Sequence, residues 1–288
     1  TALNLKHTDY YLNTKGSYTL NTSAIDMHIM GVWKNVKKFT SNLNTPITAD
    51  LKLSGTTDQL SGEFSLHTAY KDMDITPILM LEKQGQTIAI QDIKGNAGPA
   101  TLDGNVTYNL DTRNANGQIL VRIEDLADLK AFIPVKDISG SGTLSANISS
   151  PNNTPQVSLN ANLDNTVIAS TELEKVSLHV TQAETGYMGD ILIKGYQINP
   201  FDITGKIHLL SPSPLHIDVK DLTATLAGGK ANISGKISEE DLDAKLTAQN
   251  LNLMTLPFAN LSNIPLRLAK ADGAFTGTLS HPKVDLSY

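Results

Sequence analysis

Seven histidines (His7, His28, His67, His179, His208, His216 and His281) and a few clustered carboxylates are the side chains here suited to metal or proton chemistry. A metal site needs them at ligand spacing, as in H-E-x-x-H, and no such spacing occurs. His208 and His216 are spaced to meet across a hairpin, yet each is flanked by strand-forming residues, which favours solvated strand positions. Asp72 and Asp74 share a strand face, and Glu239-Glu240-Asp241 read as a turn. Paired carboxylates work as acid and base only in a pocket that shifts their proton affinity, so solvated carboxylates are the simpler reading. Gly228-Gly229 would cradle phosphate if a helix followed; a strand pattern follows instead, which makes it a hairpin turn. No nucleophile elbow, phosphate loop or calcium loop is present. The chain has no cysteine, which excludes disulfides, thiolate ligands and thiol nucleophiles. These residues predict a chain that is not an enzyme and holds no metal and no cofactor.

Elements that alternate in hydropathy occupy most of the sequence. Leu51 and Leu53 alternate with Asp50, Lys52 and Ser54, and Phe64 and Leu66 resume the pattern after the turn TTDQLS. Leu102 and Val106 form the next series, followed by Ile119, Val121 and Ile123, then Leu144 and Ile148, then Val157 and Leu159. Ile191 and Ile193, Ile203 and Ile207, and Leu215, Ile217 and Val219 continue it. Leu222 and Leu226, Ile233 and Ile237, and Leu246 complete it. Period-two alternation places these residues on one face, with Lys, Thr, Asn, Asp and Ser on the other, as in an antiparallel meander with one dry side. The apolar set changes from odd to even positions at Lys220-Asp221, which predicts a β-bulge there. Gly98-Pro99, Asn116-Gly117, Ser150-Pro151, Gly228-Gly229 and His281-Pro282 read as turns. Helical spacing is confined to Leu126–Ile133 and Leu251–Leu261, each expected to form a short helix. About twenty strands stacked side by side would make a sheet of roughly 100 Å, which should twist or curl into a trough.

Composition supports the same picture. Apolar residues make up 40% and charged residues 18% of 288 positions, so the chain is foldable. Aromatics are 5% with one Trp, so the apolar surface is aliphatic. A net charge of −6 argues against nucleic acid, which needs clustered cations, and the doublet Lys37-Lys38 is read as a solvated strand edge. The apolar runs are far shorter than the ~20 residues that span a bilayer. The chain starts at Thr1 and in mid-pattern, so it is expected to be part of a longer protein.

A unit occurs twice. Residues 92–163 begin DIKGNAGPATLDGNVTYNL and end SGSGTLSANISSPNNTPQVSLNANL, and residues 221–288 begin DLTATLAGGKANISGKI and end ADGAFTGTLSHPKVDLSY. Residues 45–70 carry a partial copy. One elongated β-repeat region over 1–288 is the expected organisation.

The segments DLTATLAGGKANISGKI…LTAQNLNLMTLP and ADGAFTGTLSHPKVDLSY resemble the repeats of the TamB/AsmA-like envelope proteins. The shared pattern is an Asp-Leu strand, a Gly-Gly turn, an "nLnL" segment and a Gly-x-apolar-x-Gly strand leading to Pro. Its last part is Gly273-Ala274-Phe275-Thr276-Gly277-Thr278-Leu279-Ser280-His281-Pro282. The first copy departs from it: Asn96-Ala97-Gly98-Pro99 replaces Gly-Gly, and residues 149–155 lengthen the Pro turn. The resemblance implies an all-β, taco-like sheet with a hydrophobic groove, located in the periplasm of a diderm bacterium. It implies movement of phospholipid between inner and outer membranes, with acyl chains as the bound partner. It also implies a part in outer-membrane protein assembly with an Omp85-type barrel, and inner-membrane anchoring through an N-terminal segment outside these residues.

Three functions stay open at this level: a lipid-conducting groove, a scaffold that templates client strands at a sheet edge by β-augmentation, and a passive stalk whose apolar stripe is a sealed core. Sealed and open sheets share one alternation pattern. As a groove, the lining just named offers almost no hydrogen-bonding groups, which predicts binding without head-group selectivity.

Overall fold

The computed structural model describes residues 2–34, 45–70, 73–130, 137–154, 156–168, 171–196, 201–212, 215–226, 228–238, 240–252, 267–278 and 281–287. The fold is all-β. The helical pieces among these residues are two 3-10 turns, Leu126–Leu129 and Pro151–Asn153. None of the described helices is long and apolar enough to cross a membrane.

The chain divides into two compact units, one of Thr1–Phe132 with Leu144–Val157 and one of Ile133–Thr143 with Ser158–Tyr288. The first contains β1 (Ala2–Lys6), β2 (Tyr10–Thr19), β3 (Ala24–Trp33), β4 (Ile47–Thr56), β5 (Gln59–Tyr70), β6 (Met73–Ile75), β7 (Ile78–Gln84), β8 (Thr87–Ala97), β9 (Ala100–Asn109) and β10 (Ala115–Ile123). Each pairs antiparallel with the next in sequence, except that β7 lies against β5 and the short β6 bridges β5 and β8. The unit boundary runs through β11 (Ser139–Ser149) and β12 (Gln156–Ile168). The second unit continues with β13 (Thr171–Gln182), β14 (Tyr187–Gly195), β15 (Phe201–Pro212), β16 (Leu215–Leu226), β17 (Gly229–Ser238), β18 (Leu242–Asn252), β19 (Arg267–Thr278) and β20 (His281–Ser287). From β12 to β20 every strand pairs antiparallel with its successor.

The bulge expected at Lys220-Asp221 is present. Lys206 pairs with Asp221 and Ile207 with Val219, so Lys220 is the extra residue. The first copy carries the same device at the matching place: Met80 pairs with Asp92 and Leu81 with Ile90, leaving Gln91 extra. An added residue restores the apolar set to one face after a change of phase. Both copies then turn through a left-handed glycine, Gly98 at φ +59° and Gly228 at φ +76°.

Two expected turns lie elsewhere. Asn116 and Gly117 belong to β10, where Gly117 faces Val106. A Cβ on Gly117 would stand 2.7 Å from the Val106 Cα, so this glycine serves close strand approach and not a turn. The reversal is made earlier, where the Asn109 side-chain oxygen accepts the N–H groups of Asp111 and Thr112 and Arg113 takes φ +57°. His281 and Pro282 likewise pair within β20, opposite Thr278 and Gly277. The first expected helix is the turn Leu126–Leu129, capped by Asp125 and anchored by buried Leu126. The stretch 253–261, with Lys37-Lys38, Asp72 and Glu239, lies outside the described residues.

Gly205 faces Leu222 beside the bulge, and a Cβ there would meet the Asp221 carbonyl oxygen at 2.1 Å. We predict that Gly205→Ala lowers the thermal stability of the second unit by about 2–3 kcal/mol. Gly228→Ala meets no atom within 4 Å; it bears only the left-handed strain and should cost about 1 kcal/mol. Thermal unfolding of the two variants beside the parent checks the order.

Candidate functional site

Directly opposed residues of an antiparallel ladder share a face, so the registers join the aliphatic residues into rows. In the first unit one row runs Ile29, Leu51, Phe64, Leu79, Ile93, Gly104, Ile119. The next runs Gly16, Met27, Leu53, Gly62, Leu81, Ile90, Val106, Gly117. Leu66 faces Ala49, Leu102 faces Gly95 and Val121, and Ile123 faces Ala100. Leu144, Ile148 and Val157 belong to the first unit in β11 and β12, where Leu144 is 44% and Val157 38% exposed.

The second unit repeats the arrangement. Leu159, Val180, Gly189, Ile207, Val219, Gly235 and Ala244 form one row. Ala161, Leu178, Ile191, Gly205, Leu222, Ile233, Leu246 and Gly273 form another. Ile193, Ile203, Ala224, Ala231, Ala248 and Ala271 form a third. Ile217 faces Ile237, Leu226 pairs with Phe201 and Gly229, and Leu215 pairs with Pro212 at the hairpin end of β16.

These residues share faces but are not sealed. Of the proposed lining residues whose side chains are described, Val219 alone is buried; the others are half-buried or exposed. A sheet stacked on a second sheet at ~10 Å would bury its inward side chains. Burial on this face is local: Ile93, Phe201, Val219 and Leu242 are buried, and Ala231, Ala248 and Ala271 form a seam packed by Ala224 and Leu246. On the same face, Leu3, Thr14, Gly16, Tyr18, Ile25 and Met27 border a largely apolar hollow of about 350 Å³.

The opposite face is charged and cross-paired. The His28 Nε2 lies 2.7 Å from the Asp50 carboxylate, and Lys52 lies 3.5 Å from Glu63. A hollow of about 400 Å³ on this side includes Asp26, His28, Lys52, Glu63 and Glu82. Among the described residues no three His, Asp or Glu side chains converge to hold a metal ion. His208 and His216 do not meet: His208 faces Asp218 and donates to the Thr185 carbonyl, while His216 faces Ser211 and Ser238. The Lys220 ammonium bonds the Asp218 carboxylate and holds its pKa below the usual range. That contribution is complete at neutral pH and is lost in acid as the carboxylate protonates.

The alternation series passed over several residues of the aliphatic face, among them Met27, Ile29, Leu79, Leu81, Ile90, Ile93 and the charged Lys83. Leu60 faces Lys83, and Lys83 faces Ile88, so Lys83 follows Leu79 and Leu81 onto the apolar side. Its signal was the parity of β7, where Leu79, Leu81 and Lys83 alternate with Ile78, Met80 and Glu82. Comparison with known protein families, curated proteins and solved structures finds no match to this chain.

Proposed function

We propose that this chain is a non-enzymatic periplasmic segment whose aliphatic β-face holds phospholipid acyl chains and conducts them between inner and outer membranes, as in the TamB/AsmA-like proteins its repeats resemble. The observation that carries this reading is the largely half-exposed aliphatic face, in which most of the large Leu, Ile and Val side chains line up across successive strands without full burial. Two acyl chains of roughly 30 methylenes lose up to ~24 kcal/mol in water at ~0.8 kcal/mol per methylene. An aliphatic row removes much of that loss and needs no reactive group. Assembly work with an Omp85-type barrel is a second reading. It is favoured by β1, which among the described residues pairs with β2 alone and whose five residues are all exposed, a ready template for β-augmentation.

Purified protein is predicted to carry phospholipid that organic extraction recovers and mass spectrometry identifies. Extraction without lipid, together with no binding of fluorescent acyl probes, favours a passive stalk.

Ile217 separates an open face from a core. It stands half-buried on the aliphatic side, facing Leu209 and Ile237. In a dry core, Ile217→Asp buries an unpaired charge and costs several kcal/mol. On an open face water reaches the carboxylate, so the fold survives with a loss under about 2 kcal/mol, while lipid content falls. Asp218→Asn, on the polar face, removes a surface ion pair worth under about 1 kcal/mol and leaves lipid content unchanged. Global unfolding by Ile217→Asp, or normal lipid content in the folded variant, overturns the reading.

A further inference from the structure

Among the ladder positions on the aliphatic face of β1–β10, Lys83 is the one charged residue; the others are apolar, glycine, threonine or tyrosine. It stands in the outermost row, with Tyr18, Ile25, Gly55, Leu60, Ile88 and Tyr108. Tyr18 is 54% and Tyr108 37% exposed. Tyrosines suit a boundary between hydrocarbon and water, because one end of the ring is apolar and the other is wet. The row therefore marks the rim of the apolar face. Directly inside it the floor is hydrocarbon, formed by Leu53, Leu81, Ile90 and Val106.

The Lys83 stem lies along this rim and its ammonium donates to the Thr57 carbonyl in the β4–β5 turn, 2.5 Å away. That acceptor is neutral. Five lysines, Lys52, Lys94, Lys206, Lys220 and Lys270, stand within ion-pair distance of a carboxylate. Among the described residues no carboxylate lies at that distance from Lys83. It is the one cation among these ladder positions, and it stands where an apolar floor ends.

We propose that Lys83 is the head-group contact of the lipid face. An anionic phospholipid lies with its hydrocarbon on the Leu81, Ile90 and Val106 side of the rim and its phosphate over the Lys83 ammonium. The inference rests on the lipid-groove reading and adds a preference for lipids of net negative charge, where the aliphatic lining alone has none. One cation beside a lipid phosphate contributes about a fivefold preference, weakened by salt.

The test is native mass spectrometry of the purified chain with equimolar phosphatidylglycerol and phosphatidylcholine of matched acyl chains. The parent protein binds both and favours phosphatidylglycerol about fivefold. Lys83→Met keeps the stem, binds both lipids and loses the preference; Lys83→Arg retains it. Equal binding of the two lipids by the parent overturns the inference and leaves the groove standing. So does a Lys83→Met variant that keeps the preference while unfolding at lower temperature, since the lysine then serves only the β4–β5 turn. Binding of neither lipid removes the groove reading and the inference with it.

Discussion

Residues directly opposed across an antiparallel ladder stand on the same side of the sheet, and a slip of one residue moves a strand's whole apolar set to the other side. The rest of this structure depends on that parity. Nine successive strands in each unit keep Leu, Ile and Val in common rows because every register agrees with the alternation within the strands. Where the alternation changes phase, the backbone changes with it. Gln91 and Lys220 are the inserted residues that let β8 and β16 keep both of their apolar halves on one side. That two copies of the repeat place this bulge at matching positions shows it to be part of the unit's construction.

The chemistry of the apolar face follows from which residues the rows contain. Glycines recur among the large aliphatic side chains: Gly62 beneath Leu53, Gly189 opposite Ile207, and Gly205 opposite Leu222. A methyl group at Gly62 or Gly205 would collide with a backbone oxygen and one at Gly189 would press on the Ile207 side chain, so the glycines make room for large side chains on adjacent strands. Burial is reached at scattered positions, small ones such as Ala248 and Ala271 and large ones such as Ile93, Phe201, Val219 and Leu242. Most of the other large residues of the rows stay half in water. An exposed apolar surface of this extent is a cost to solubility unless something covers it.

The charged face has a different task. Its ion pairs are exposed and each contributes little to stability, but opposite charges set across strands disfavour slipped registers. Asp218 opposite Lys236 and Lys236 opposite Asp243 make such a series in the second unit. A polar side that resists slippage protects the parity on which the apolar side depends.

Strand identity, face assignment and the bulge at Lys220-Asp221 were legible in the sequence because each rests on alternation within a few neighbouring residues. Turn position was less so. Asn116-Gly117 has turn chemistry, yet Gly117 is consumed by the close approach of Val106, and Asn109 makes the reversal through side-chain bonds that alternation does not encode. Lys83 was passed over because Glu82-Lys83-Gln84 is a polar run, and only its partners Leu60 and Ile88 place it on the apolar side. The sequence by itself determined an amphipathic antiparallel meander, since period two is a local property. Only the tertiary structure decided that the apolar face stays half-exposed, because burial depends on what covers a side chain from a distance, and an open sheet and a closed one alternate in the same way.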